Sequence, residues 1–213
     1  MTQTQLQRPQ LPAYRDDGPI ATLLGRLAQG NLPPLAPALV AAVITAVLLL
    51  LGGGGESGWV LFTPAVALLL TGPAATHSHD GPLDWLVPPI IRAIEYGYVA
   101  VLGFAHGVPE PLIYLLIAVL AYHHYDTVYR TRQRPTAGRD EFGPPEWVFR
   151  AGLGWDGRML VIACAGLIGA LPFGYAALAV YLGVLFGSES VSTWTRTGRG
   201  AGEALDLEGE NAA

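Results

Sequence analysis

The sequence predicts an all-α protein: a polytopic membrane bundle of about six transmembrane helices, five being the alternative, with both termini on the cytoplasmic side. Three observations predict it. Of the 213 residues, 51% are hydrophobic and only 14% are charged, and mean hydropathy is +0.37, a balance more apolar than a soluble domain needs. Apolar stretches recur along the chain, separated by short Gly/Pro-rich breaks. Basic residues gather in alternate connections, as they do in loops that stay inside the cell.

The opening MTQTQLQRPQLPAYRDDG is polar and broken by proline, unlike the charged cap and apolar run of a secretory signal. GPIATLLGRLAQG follows, with apolar residues at 20, 23, 24 and 27, the spacing of a short amphipathic helix suited to a membrane surface. Residues 1–34 thus form a polar N-terminal segment, ended by LPPLAP. The transmembrane domain is expected over 35–188, with apolar stretches at 36–52, 58–72, 86–105, 111–124, 159–171 and 173–187. Several are shorter than the roughly 20 residues a straight span requires, so flanking residues must extend them or the bilayer must thin. In ALPFGY, Pro172 and Gly174 mark either a tight turn between two helices or a kink in one. Residues 189–213, ending in EALDLEGENAA with no base, read as a disordered acidic tail.

All twelve basic residues are arginine. With Arg8, Arg15 and Arg26 inside, six spans leave the connections at 52–57, 105–110 and 172–174 outside and free of arginine. Arg130, Arg132, Arg134, Arg139, Arg150, Arg158, Arg196 and Arg199 then all lie inside, in the inner membrane of a cell; five spans would put the last two outside. No basic stripe exists to displace counterions, which excludes nucleic acid as a partner. Cys164 is the single cysteine, so no internal disulfide forms, and ACAGLIGA around it reads as a small-residue packing surface.

This topology brings THSHDGPLD (76–84), YHHYDTVYR (122–130) and GWDGR (154–158) to one cytoplasmic rim. Pro88 and Pro89 suit a first helical turn, where a missing N–H is harmless. Arg92 and Glu95, three apart, either pair with each other, with Asp84 at the positive helix end, or use Arg92 to hold a phosphate at the interface. Ionisable groups in a membrane helix are costly, which favours a functional role. On the fourth span, His123, Asp126, Tyr129 and Arg130 share a face at three- and four-residue spacing. Asp126 works against the helix dipole and needs a counter-charge: it either ligates a divalent ion with His123 or pairs with Arg130. It is the leading functional candidate, while the tyrosines and histidines also fit a head-group belt. His77, His79, Asp80 and Asp84 have metal-like composition on a Gly/Pro loop that equally reads as a solvated turn. Asp156 either caps the fifth span or faces the site together with Arg158. The chain has no P-loop, GxSxG or zinc pattern.

YRDDGPIATLLGRLAQGNLPPL, HDGPLDWLVPPIIRAIEY, HHYDTVYR and GLGWDGRMLV, in that order between about residues 13 and 195, resemble an uncharacterised membrane domain of actinobacteria. In that family the domain usually follows a sugar-phosphate nucleotidyltransferase domain and a CDP-alcohol phosphatidyltransferase domain. The resemblance implies association with those domains and a place in phospholipid or polyol-phosphate head-group synthesis, with a phosphorylated alcohol or CDP-alcohol as ligand. The transferase motif D-x-x-D-G-x-x-A-R, followed by a glycine and two aspartates four apart, is not present. Asp17-Gly18-Pro19-Ile20-Ala21 is similar to its centre, but Thr22 replaces the arginine and the later aspartates are missing. Asp80-Gly81 lacks the Ala-Arg, and Asp156-Gly157 leads straight into a span. No catalytic residue of the transferases is carried over.

The expected site therefore comprises Asp126 and His123 as acid/base groups, with Arg92, Glu95, Tyr129, Arg130, Asp156 and Arg158 on the ligand. Asp80, Asp84 and Asp126 would hold Mg²⁺, a hard ion that suits oxygen donors and diphosphate chemistry. A non-catalytic scaffold for the neighbouring domains is the alternative reading. A small transporter is the third, and it would place its polar residues near the midplane.

Overall fold

A computed structural model describes residues 14–53, 57–78, 81–132 and 145–211. Among them all regular structure is helical. The α-helices are α1 (Pro19–Leu27), α2 (Leu35–Leu51), α3 (Thr63–Thr71), α4 (Val87–Ala105), α5 (Glu110–Arg132), α6 (Glu146–Ala151), α7 (Gly154–Leu167) and α8 (Leu171–Asn211). Single 3-10 turns at Gly58–Phe62, Gly72–Ala74 and Asp84–Leu86 extend α3 at both ends and lead into α4.

The starts and stops follow local chemistry. Pro19, Pro64 and Pro88 occupy first turns, where a proline costs no hydrogen bond. Between α7 and α8, Gly169 takes a left-handed φ of 71°, so ALPFGY contains a tight turn joining two helices, and Pro172 lies at the start of the second. The core runs through Tyr98, Leu102, Ile113, Leu116, Leu120, Tyr175 and Leu182, and the Tyr175 hydroxyl donates to the Val99 carbonyl at 2.6 Å.

Two helical stretches are long and apolar enough to cross a membrane, Asp84–Ala105 and Leu171–Thr195. Leu35–Leu51 and Gly58–Ala74 are apolar but shorter. The expected count of six is therefore not reached by length and composition, for identifiable reasons. In α5 the apolar run gives way to His123, His124 and Asp126 before a full span is complete, and α7 has only 14 residues. α1 forms where its periodicity places it, but its apolar stripe is divided. Ala21 and Gly25 are buried and Leu24 packs on the core, while Ile20, Leu23 and Leu27 are exposed.

The boundary expected at 188/189 falls inside α8, whose backbone is helical through to Asn211. Glu189 and Ser190 are buried within that helix, so the bundle includes the first residues assigned to the tail.

Candidate functional site

The segment before α1 begins the site. In Tyr14-Arg15-Asp16-Asp17-Gly18 the chain turns at Asp16, which has a left-handed φ of 51°, a conformation aspartate tolerates better than most residues. The Asp16 carbonyl accepts the Trp155 N–H at 3.0 Å. Gly18 packs against Gly154 so closely that a Cβ on Gly154 would lie 2.1 Å from the Gly18 nitrogen. Only glycine permits that approach, and it fixes the N-terminal segment on the start of α7. The Asp156 carboxylate then accepts the Gly18 N–H at 2.5 Å and the Ala21 N–H at 3.0 Å. It caps α1 across the bundle, so of its two expected roles it neither caps its own helix nor joins the cavity lining. α1 has no capping side chain of its own, so its orphan N–H groups and positive end are met by a carboxylate from α7.

Around this join lies a buried ionic network. Arg158 is 1% exposed; it donates through Nε to Glu95 at 2.6 Å, through Nη1 to the Gly152 carbonyl at 3.1 Å and through Nη2 to Asp16 at 2.7 Å. Glu95 is also paired with Arg92 at 2.6 Å, so the expected Arg92–Glu95 pair forms but is shared with Arg158. The remaining Arg92 Nη2 donates to the carbonyls of Tyr14 and Arg15. Arg15 pairs with Asp17 at 2.7 Å and reaches the carbonyls of Thr71 and Ala74, and the Trp155 indole donates to Asp17 at 2.8 Å. Arg15, Arg92 and Arg158 thus face Asp16, Asp17 and Glu95, and the charges cancel. Such a network is costly to desolvate and costlier to break. Burial alone would push the Asp16 carboxyl up, but Arg158, the His124 hydrogen bond, His123 and Arg92 hold it well below the usual carboxylate range.

His124 adds a relay. Its Nε2 lies 3.1 Å from Asp16 Oδ2 and its Nδ1 lies 2.5 Å from the Tyr96 hydroxyl. A carboxylate only accepts, so the neutral imidazole carries its proton on Nε2 and takes the Tyr96 O–H on Nδ1. His123 takes no part in that chain of hydrogen bonds: its ring stacks on Phe186 at 3.7 Å and 10°, with Nε2 4.0 Å from Asp16.

These groups border a cavity of about 240 Å³ whose lining includes Asp16, Trp85, Pro88, Arg92, His123 and His124. The Arg92 Nε is buried and has no hydrogen-bond partner. A buried donor left unmet calls for an explanation.

The other expected residues lie apart from the cavity lining. Asp126 takes the second alternative: it pairs with Arg130 Nε at 2.8 Å, and Arg130 reaches Glu189 of α8 at 2.8 and 2.6 Å. Tyr129 is exposed near Trp194, ring centres 6.0 Å apart. Asp84 accepts the Gly81 N–H of its own loop at 2.9 Å. Asp80 lies outside the described residues. Among the described residues, no group of three or more His, Cys, Asp or Glu side chains is arranged to hold a metal ion.

Sequence reasoning passed over Asp16, Arg15, His124, Tyr96, Trp85 and Glu189. The signal for Asp16 was YRDDG itself, three consecutive charged residues before a glycine. Tyr96 and Glu189 carried none, since a tyrosine within a helix and an acid beyond an apolar run have many ordinary uses.

Fold and site together define an all-helical bundle with two stretches able to cross a membrane, closed at one end by a charge-balanced network that borders a small cavity. The chain belongs to the DUF5941 family, a family of unknown function, whose model matches residues 7–212. No curated protein and no solved structure matches it.

Proposed function

We propose that the chain is a membrane-embedded helical module of phospholipid or polyol-phosphate head-group synthesis, whose cavity holds a phosphorylated alcohol at the cytoplasmic face. The observation that carries this reading is the Arg92 guanidinium, which lines the cavity and keeps one N–H, the buried Nε–H, without a partner in the protein. A phosphate oxygen is the acceptor that a buried guanidinium N–H suits best. The sequence resemblance supplies the context, a nucleotidyltransferase domain and a CDP-alcohol phosphatidyltransferase domain working beside it in actinobacteria.

Several features support a bilayer setting. Leu39, Val43, Val47, Leu50, Leu69, Ile168, Phe173, Val180 and Val184 are exposed on the outer helices, an apolar belt that lipid would cover. The charged groups gather where α4 and α7 begin and α5 ends. That end faces the cytoplasm in the six-span arrangement, with the short helices tilting the protein or thinning the membrane around them.

A second reading, a scaffold for the synthetic domains, has its own observation. Every nitrogen of Arg158 and of Arg130 is engaged within the protein, so these two arginines act as internal ties. One experiment separates the readings: CDP-linked alcohols and membrane phospholipids are measured in a strain lacking the domain, complemented with wild type or Arg92→Lys. Lysine keeps a charge for Glu95 but removes the Nε–H. The head-group reading expects deletion to alter the lipids and Arg92→Lys to restore them at least tenfold less well. Full restoration by Arg92→Lys would leave only the scaffold.

A further inference from the structure

We infer that the cavity is a hydroxyl-reading subsite, in which Asp16 and His123 accept hydrogen bonds from the alcohol part of the ligand; this rests on the head-group reading and narrows it. All contacts made by the Asp16 side chain fall on Oδ2: Arg158 at 2.7 Å, His124 at 3.1 Å, Arg92 at 3.9 Å and His123 at 4.0 Å. Its Oδ1 receives no donor from the described residues, although Asp16 lines the cavity. The left-handed backbone at Asp16, φ 51°, delivers the carboxylate to that place, and residues held in such sparsely populated conformations concentrate where ligands bind.

His123 lines the same cavity and makes no hydrogen bond with the described residues. Its ring is held by the stack on Phe186, so its nitrogens are oriented without being used. A neutral imidazole brings one acceptor and one donor to the cavity.

The positions left open select the ligand group. Arg158 and Arg92 are engaged with Glu95, and Arg158 with Asp16, so what Asp16 and His123 still offer the cavity is hydrogen-bond acceptance. Hydroxyl groups donate to Asp16 and His123 without adding charge. Trp85, Pro88, Pro89 and Val128 also line the cavity and offer apolar surface to the carbon face of a polyol. A cavity of about 240 Å³ is below the ~300–1,000 Å³ usual for drug-sized ligands and suits a small polyol head group.

The test uses two phosphate esters of similar length and charge. The full chain in detergent is titrated calorimetrically with glycerol 3-phosphate, which bears two hydroxyls, and with n-propyl phosphate, which bears none. Wild type is expected to bind glycerol 3-phosphate at least tenfold more tightly, because a site built for a hydroxyl rejects the analogue that leaves its polar groups unmet. His123→Phe, which keeps the stack on Phe186, and Asp16→Asn are each expected to shrink that ratio severalfold. Equal binding of the two esters to wild type would overturn the hydroxyl subsite and leave the head-group reading standing. A wild-type preference that both variants preserve would overturn the assignment to Asp16 and His123. Binding of neither ester would overturn both the subsite and the reading beneath it.

Discussion

Two ionic clusters close the polar end of this bundle, and they are built on opposite plans. The Asp16 cluster joins the N-terminal segment, α4, α5 and α7, matches three arginines with three carboxylates, and borders a cavity. The Asp126–Arg130–Glu189 cluster joins only α5 and α8, places one arginine between two carboxylates, and uses every nitrogen of that arginine. The Thr193 hydroxyl also donates to Glu189 at 2.9 Å. Saturation marks a tie. The first cluster is balanced in charge yet leaves Arg92 Nε without a partner, and that combination distinguishes a site from a fastening.

Removing the central arginine of each cluster breaks the comparison most severely. Arg158→Met leaves Asp16 and Glu95 buried without their main counter-charge and is expected to cost about 3–5 kcal/mol, the usual penalty for orphaning a buried charge. Thermal unfolding of the full chain in detergent should show a large fall in midpoint, or no folded protein at all. Arg130→Met should cost less, about 1–3 kcal/mol, because only two elements meet there and the orphaned carboxylates lie near the end of the described α5–α8 contact. Its effect should be local, read as faster amide exchange in α8 around Glu189 while residues 14–18 stay protected. A larger loss from Arg130→Met than from Arg158→Met would reverse the ranking of the two clusters.

Acid probes the first cluster next. Asp16 has a folded pKa held well below its ordinary value, so its ionisation stabilises the folded state at every pH above the unfolded value of about 3.9. As pH falls below that value the unfolded chain takes up the proton first, and the contribution is gone once pH has passed the folded pKa. Unfolding midpoints of wild type should therefore drop steeply below about pH 4, and Asp16→Asn should flatten that limb while lowering the plateau above it. An acid limb unchanged by Asp16→Asn would assign the transition to other carboxylates.

The parts of this design that sequence reading reaches are those with local signatures. Helix positions follow from apolar runs and from prolines at first turns, and the Arg92–Glu95 and Asp126–Arg130 pairs follow from three- and four-residue spacing on one helix. What joins the elements does not have that signature. Asp156 caps a helix 135 residues away in sequence, Glu189 meets Arg130 across 59 residues, and Asp16 reaches Arg158 across 142. Each partner looks ordinary alone, and its role exists only after packing. The span count falls short of six by length and composition for a related reason. Histidines and aspartate that interrupt α5 lower its apolar length, but once folded His123 and Asp126 are buried against protein, so local hydropathy is a poor guide to where that helix sits.

The smallest expected effect probes the relay within the first cluster. Tyr96→Phe removes the hydroxyl 2.5 Å from His124 Nδ1 and leaves the Asp16 contact at Nε2 in place. The loss should be about 1 kcal/mol, that of one ordinary hydrogen bond, with a correspondingly small fall in unfolding midpoint. The sharper readout is the imidazole itself. In wild type both ring nitrogens of His124 are occupied, so nitrogen NMR should show a single tautomer with the proton on Nε2. With phenylalanine at 96 only Asp16 fixes the ring, and Nδ1 becomes open to water. The Nε2–H tautomer should persist, because the carboxylate alone selects it, while the Nδ1 resonance shifts toward that of a solvated acceptor. Arg130→Met should leave both resonances untouched, since the second cluster does not share a hydrogen bond with His124. If instead Tyr96→Phe lets the proton move to Nδ1, the tyrosine and not Asp16 sets the tautomer, and the relay runs in the opposite direction.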